Sequence, residues 1–338
     1  MDNKITKKRL SDFLSYEWIK LIIVCVVAVL LWEMVYTVTS VKPTVGQKFK
    51  YYFDTSVYGY DTQLNALIEN EGALSYDVLT FNSEQLSTAY NTLPTRLTAQ
   101  EGDIMITDCR ENVSAEYEKG PFVRAKFVID NYYAYCYEDL LKDAQNYLLV
   151  NFMKDGLTIE SAFSAYNEDY LDIEKISTVF RARMAKDNRF RTESQKTEGV
   201  FLEKNRVSKL YKEVIDFAKI LALKEFDPDL FLTYTKFDQS LIYPGDISLD
   251  YWKKEQQKEI DAGRVNMTYA LKVDALSKYQ DENSSKENPS KYFVYYGEYE
   301  AKDVCITVFD FKADQPHLQY ETIPFINAIV RSCSTILD

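Results

Sequence analysis

Histidine is almost missing from this chain, since His317 is the only one in 338 residues. That argues against a zinc site of the usual Cys/His type, and a Ser-His-Asp or Cys-His catalytic site would have to use that one residue. Glycine is scarce, ten in all and none grouped, which leaves no Gly-rich phosphate loop. Positive charge is short as well. Lys and Arg number 40 against 52 Asp and Glu, giving a net charge of −12. A general nucleic-acid binder needs a basic surface to release counterions, so that class is excluded. There is no CxxC pair, internal repeat or heptad array. Of five cysteines, Cys25 lies in an apolar segment; Cys109, Cys136, Cys305 and Cys333 either stay reduced and buried or pair in one of three connectivities.

What is present is the composition of a folded chain, 46% apolar and 27% charged, long enough for one large α/β domain or two modest ones. Its 27 tyrosines offer flat apolar faces with polar tips, suited to stacking sugars, packing interfaces or filling half-buried faces.

From Leu21 to Trp32 the chain reads LIIVCVVAVLLW without a charge. Trp18 to Val38 supplies the roughly 20 residues that a helix needs to cross the hydrocarbon core. Trp18, Trp32 and Tyr36 suit the interfacial belts, and Lys20 and Glu33 lie close enough to the ends to reach water. Lys4, Lys7, Lys8, Arg9 and Lys20 precede the core, against Lys42, Lys48 and Lys50 after it, an excess that keeps the N-terminus cytoplasmic. A cleaved signal peptide competes, with Val38-Thr39-Ser40 as a loose cleavage site. The long leading region and the Trp32-Glu33 interruption favour an uncleaved anchor. The expected division is a cytoplasmic tail at 1–17, an anchor at 18–39 and an extracytoplasmic α/β domain at 46–338.

Within that domain, Lys48–Asp54 (KFKYYFD) reads as a strand, and Asp61 opens a helix carrying Leu64, Leu67 and Ile68 that stops at Gly72. Tyr76–Phe81 (YDVLTF) reads as a second strand. Ser83 is placed to cap a second helix with Leu86, Ala89, Tyr90, Leu93 and Leu97 on one face. Asp103–Thr107 (DIMIT) is a short strand of the kind buried on both faces. Connections this short predict an open, mostly parallel sheet with flanking helices in a first lobe at about 46–130. A helical region follows at about 135–225. It has one stripe of Leu140, Leu141, Ala144, Tyr147, Leu148 and Phe152, and another of Val207, Leu210, Tyr211, Val214, Ala218 and Leu221. A mixed part at about 226–338 has strands near Tyr269–Val273, Tyr292–Tyr296 and Asp303–Phe311, and a last helix from about Thr322 to Leu337.

The unit YDVLTF–helix–EGDIMITD, above all Glu101-Gly102-Asp103-Ile104-Met105-Ile106-Thr107-Asp108, resembles the first lobe of the extracytoplasmic solute-binding proteins of bacterial ABC importers, here in a divergent, membrane-anchored form. The resemblance covers about a fifth of the chain. It implies a periplasmic-binding-protein-like fold and a ligand cleft. Two departures stand out: those proteins are secreted or lipid-anchored, and this chain is small for two complete lobes.

Ligands of open parallel sheets bind beyond the carboxyl ends of the strands. Asp54, Tyr58, Asn82, Thr107 and Asp108 are therefore the cleft candidates, hydrogen-bonding a polar ligand beside an aromatic wall; Asn82 and Asp108 equally suit plain turns. The basic cluster Arg181, Arg183, Lys186, Arg189 and Arg191 either meets an anionic group or is balanced by Asp187 and Glu193. Asp227 and Asp229 offer a carboxylate pair of the type glycosidases use, in a setting that reads as a helix-start turn. The expectation is a binding module for a small polar solute or a surface partner, neither an enzyme nor a holder of a cofactor or metal. The alternative is a structural or assembly protein of a cell-envelope complex with a degenerate cleft.

Overall fold

The computed structural model describes residues 7–39, 43–86, 93, 95–96, 98–99, 101–112, 122–131, 134–185, 187–238, 249–281, 285–310 and 316–338. It divides into two units, Met1–Lys42 and Pro43–Asp338. The first holds helix α1, Lys7–Thr39. Its segment Trp18–Thr37 is long and apolar enough to cross a membrane, 20 residues with none of the span buried by protein. Length and composition fit an anchor or a signal sequence alike.

The second unit is built on a mixed seven-stranded sheet. Its strands in chain order are β1 (Lys48–Phe53), β2 (Val57–Gly59), β3 (Thr80–Gln85), β4 (Ile104–Asp108), β5 (Glu111–Asn112), β6 (Phe122–Val123), β7 (Ala134–Tyr135), β8 (Phe231–Tyr234), β9 (Met267–Lys272), β10 (Phe293–Tyr295) and β11 (Val304–Phe309). The main sheet runs β3-β1-β4-β11-β9-β8, with β7 also paired to β11. The expected parallel arrangement holds for β3, β1 and β4. Beyond β4 every pairing is antiparallel, because β11 returns against β4 and β9 and β8 follow in the same manner. Two small ribbons, β2 with β10 and β5 with β6, stand apart.

Strand β3 begins four residues later than the apolar pattern Tyr76–Phe81 predicts. Leu79 N–H opens the ladder on the Gln47 carbonyl at 2.8 Å, and Lys48 to Phe53 then pair in unbroken register with Thr80 to Gln85. The residues before it are drawn off into turns and ion pairs, as Tyr76 and Asp77 show below. β3 is an edge strand with exposed Thr80, Asn82 and Gln85, and such polar edges give no alternating apolar signal. Ser83 consequently sits inside a strand and caps no helix. Of the helix expected after it, Ala89, Tyr90, Pro94 and Leu97 lie outside the described residues; Leu86 and Leu93 are buried.

β4 is buried at all five positions, as a strand covered on both faces requires. Just before it Gly102 takes φ +126°, and a Cβ there would come within 2.5 Å of the Tyr52 ring, so only glycine fits.

The helices are α2 (Asp61–Asn70), α3 (Arg124–Asn131), α4 (Tyr137–Phe152), α5 (Ile159–Phe163), α6 (Ile173–Arg183), α7 (Glu193–Ala222), α8 (Leu249–Asp261), α9 (Pro316–Gln319) and α10 (Thr322–Cys333). Local chemistry starts three of them, and Thr158 forms a capping box with Ser161 at the head of α5. Asp172 Oδ1 accepts the N–H groups of Glu174 and Lys175 at 2.9 and 3.0 Å. Thr192 and Gln195 form a reciprocal capping box at the head of α7. Both expected stripes are buried, through Leu140, Ala144, Leu148 and Phe152 on α4 and Val207, Leu210, Tyr211 and Val214 on α7. They join Phe49, Tyr51, Phe53, Ile104, Ile106, Ile306 and α10 in the main core. There Phe325 of α10 stacks on Phe49 at 5.4 Å and tilts onto Tyr51 at 5.6 Å. The other sheet face carries a smaller core of Cys136, Cys305, Tyr269 and Ala270 under Ala125 and Ile129 of α3. All five cysteines are free thiols.

Candidate functional site

The three parallel strands end at Phe53, Gln85 and Asp108, with Asp54 directly after β1. Thr107 Oγ1 donates to Asp54 Oδ2 at 2.8 Å, while Thr55 donates to Asp54 Oδ1 through N–H at 2.6 Å and Oγ1 at 3.2 Å. Gln85 Nε2 donates to the carbonyls of Asp54 and Val57, both at 2.9 Å. Asp108 Oδ1 accepts the Arg110 N–H at 3.1 Å. Asp54, Thr107 and Asp108 are all fully buried. Tyr58 lies on β2, 49% exposed, with its ring edge-on to Tyr60 at 5.3 Å.

The structure thus brings Asp54 and Thr107 into contact and leaves Asp108 beside them in sequence. Asn82 departs from the expectation. It is exposed and opposite Lys50 in mid-strand, three residues before β3 ends, because that strand starts late. The strand-end carboxylate Asp54 is held by Thr107 and Thr55, an arrangement that ties the sheet edge together.

A second polar centre lies at the other end of β3, where the chain enters the sheet. Glu203 of α7, fully buried, accepts Arg183 Nη1 and Nη2 at 3.0 and 2.7 Å, Arg206 Nε and Nη2 at 3.1 and 2.8 Å, and the Tyr76 hydroxyl at 2.7 Å. Asp77 accepts Arg189 Nη2 at 2.5 Å and faces His317 Nε2 at 3.0 Å. Arg189 also binds Asp187.

Burial alone would raise both carboxyls. The hydrogen bonds from His317 and Arg189 and the Arg183 charge outweigh it at Asp77, and the Arg206 charge and the Arg183 hydrogen bond outweigh it at Glu203; each is held below the usual carboxylate range. His317 is pushed down to about 4 by burial, with its hydrogen bond to Asp77 opposing and the Arg183 and Arg206 charges assisting. The ring is therefore neutral at pH 7, with Nε2–H donating to an ionised Asp77.

The basic cluster is accordingly divided between the interior and the surface, and its arginines are each met by a partner. Arg183 and Arg189 serve the buried carboxylates, Arg181 meets Glu193 at 2.9 Å, and Arg191 Nε meets Asn188 Oδ1 at 3.1 Å. Lys186 lies outside the described residues. Asp227 and Asp229 flank Lys278, with Tyr279 OH on Asp227 at 3.1 Å, as a plain turn would have it.

Beside this network opens a cavity of about 180 Å³, between α7 (Leu202, Asn205, Arg206, Lys209, Leu210), the turn after α2 (Ala73, Ser75, Tyr76) and the head of α10 (Glu321, Pro324). Its walls are mainly apolar. Two polar atoms in that lining, Arg206 Nη1 and Ser75 Oγ, are buried and make no hydrogen bond among the described residues. Arg206 is 5% exposed, and its Nη1 stands 3.8 Å from Glu321 Oε1, beyond hydrogen-bonding distance. Lys209 at the mouth reaches the carbonyls of Glu71 and Gly72. Orphaned donors in a roomy cavity are costly unless water or a ligand meets them.

Sequence reasoning passed over Arg206, Glu203, Asp77 and Ser75. One signal was available. Glu203 lies four residues before Val207 and seven before Leu210, in line with the apolar stripe, and a carboxylate on a buried stripe requires a cation nearby. Ser75 and Asp77 gave no such sign, since the charged partners Glu321 and Arg189 are more than 100 residues away. Compared with protein-family models, with curated proteins and with solved structures, the chain matches none.

Proposed function

We propose that this chain is a single-pass, membrane-anchored binding module, with its N-terminus cytoplasmic and its folded unit extracytoplasmic, that takes a small neutral polar ligand in the cavity beside Arg206. The observation that carries the reading is that two buried groups lining one cavity, Arg206 Nη1 and Ser75 Oγ, make no hydrogen bond among the described residues. Arg206 offers a charged donor to a carbonyl or hydroxyl oxygen, Ser75 offers a second hydrogen bond, and Ala73, Leu202, Leu210 and Pro324 receive an apolar body. At about 180 Å³ the space is below the roughly 300 Å³ at which pockets for drug-sized ligands begin, so the ligand is small. Neutrality follows from balance. Asp77, Asp187, Glu203 and Glu321 already oppose Arg183, Arg189, Arg206 and Lys209, and a further anion would sit against Glu321. The resemblance of Glu101–Asp108 to solute-binding proteins supports the class, though the site lies away from the strand ends where that family would place it.

The test is thermal unfolding of the full chain in detergent with a panel of neutral amides, polyols, monosaccharides and amino acids. A compound should raise the wild-type midpoint and act at least tenfold more weakly on Ser75→Val. No shift across the panel, or a shift that Ser75→Val leaves intact, refutes the assignment. The second reading, an assembly protein of the cell envelope, is favoured by one observation: Asp54 and Thr107 bond to each other at the edge where a solute cleft would open. It expects no small-molecule shift and a membrane protein co-purifying in fixed ratio.

A further inference from the structure

We infer that Cys109 and Cys305 are a modification site, closing into a reversible disulfide that ties the end of β4 to β11. The ladder places them. Cys305 stands opposite Thr107, and the Cys109 N–H donates to the Asp303 carbonyl at 2.9 Å. Residues two apart on a strand share a face, so positions 109 and 305 are diagonal neighbours on one side of the sheet. Both belong to the smaller core, Cys305 buried and Cys109 partly open to solvent, with Cys109 Sγ 3.3 Å from the Asp303 carbonyl.

Their chemistry is unequal. A hydrogen bond from Cys305 lowers the Cys109 thiol against the opposing effect of burial, with the Lys272 charge assisting; that contact, and then burial, push Cys305 far up. Lys272 stands opposite Cys305 in β9. Cys109 is therefore the accessible nucleophile and Cys305 the resolving thiol. Cys136, in the same core, is pushed up to about 12, first by burial, and stays a thiol. Diagonal Cα atoms in an antiparallel ladder lie about 7–8 Å apart, just beyond the roughly 4.4–6.8 Å that a disulfide spans, so the backbone has to move to close the bridge. Cys109 is already beyond the last residue of β4, so a shift of about 1 Å in that segment closes the bridge. A bridge made at the long end of that range is readily reduced again.

The oxidant is a low-molecular-weight disulfide. The Cys109 thiolate attacks one sulfur of it, forming a mixed disulfide and releasing one thiolate. Cys305 gives up its proton and attacks the Cys109 sulfur, which releases the second thiol. Two electrons and two protons pass from the protein to the oxidant, whose S–S bond becomes two thiols.

The experiment incubates the full chain in detergent with oxidised glutathione, quenches with an alkylating agent in denaturant, and maps the cysteine peptides by mass spectrometry before and after reduction. The expected product is one cross-linked pair of peptides carrying Cys109 and Cys305, 2 Da lighter than the two thiols together and released by dithiothreitol. Cys305→Ser should retain glutathione on Cys109, since nothing resolves the mixed disulfide, and Cys109→Ser should leave Cys305 alkylated. Full alkylation of both thiols in the wild-type chain after oxidation overturns the inference, as does a bridge from Cys109 to Cys136. The wild-type result decides it even where a variant fails to fold.

Discussion

His317 Nε2 lies 3.0 Å from Asp77 Oδ2, joining the head of the sheet to a helix 240 residues further on. The ring is buried, and what its carboxylate partner would do for the imidazolium is outweighed by the cost of burying that charge near Arg183 and Arg206. The only histidine of the chain is thus a neutral donor in a structural ion cluster.

This relationship sets an acid limit on stability. An unfolded histidine takes up its proton near pH 6.5, whereas folded His317 does so at about 4. Between those values the unfolded chain binds more protons at this residue, so the contribution of His317 to stability is full above about 6.5 and is lost as pH drops towards 4. Asp77 and Glu203, held low, extend the loss in the same direction below about pH 4. Asp130, which burial above all pushes up to about 7, works in the opposite sense over the same range, so the effect is read as a difference between two chains. In urea unfolding, His317→Gln should be about 1 kcal/mol less stable than the wild type at pH 7.5, and that difference should shift by up to about 3 kcal/mol in the variant's favour by pH 4. An unaltered slope in the variant would place the titration elsewhere.

Removing the Glu203 charge should be severe. Arg183 and Arg206 would keep their buried guanidinium groups and lose the carboxylate that both share. We expect Glu203→Gln to cost about 3–5 kcal/mol in denaturant unfolding. Glu193→Gln, which releases the exposed Arg181 and Lys196, should be far milder, since solvent screens that pair. Equal losses in the two variants would mean that the buried cluster contributes no more than a surface pair.

The strand-end residues should prove structural. Thr107→Val keeps the shape and removes the donor to buried Asp54, at a cost of about 1–3 kcal/mol. Asn82→Ala, on an exposed edge, should stay within about 0.5 kcal/mol. Neither should alter a ligand-induced thermal shift arising at Ser75. If Thr107→Val abolished that shift while the protein remained folded, the ligand would belong at the strand ends.

Much of the architecture was legible where local rules act. KFKYYFD, the helix from Asp61, DIMIT, and the stripes on α4 and α7 announced themselves through period-2 or 3.6 spacing and capping residues, which act over a few neighbours. The first three strands were likewise placed in one parallel sheet. The antiparallel half was not foreseen, because which edge β11 joins depends on a return from 196 residues away. β3 was misplaced for a related reason: its polar residues become a strand only because β1 supplies a partner for all six.

The chain by itself determined the apolar helix near its start, the acidic surface and the main helices and strands, since hydrophobic spacing and charge are written along the backbone. Only the folded arrangement decided which polar groups meet. Asp77 with His317, Glu203 with Arg183, Ser75 with Glu321, and Cys109 beside Cys305 are all pairs distant in sequence. Ion pairing, desolvation and thiol contact depend on separations of a few ångströms, and those are set by packing.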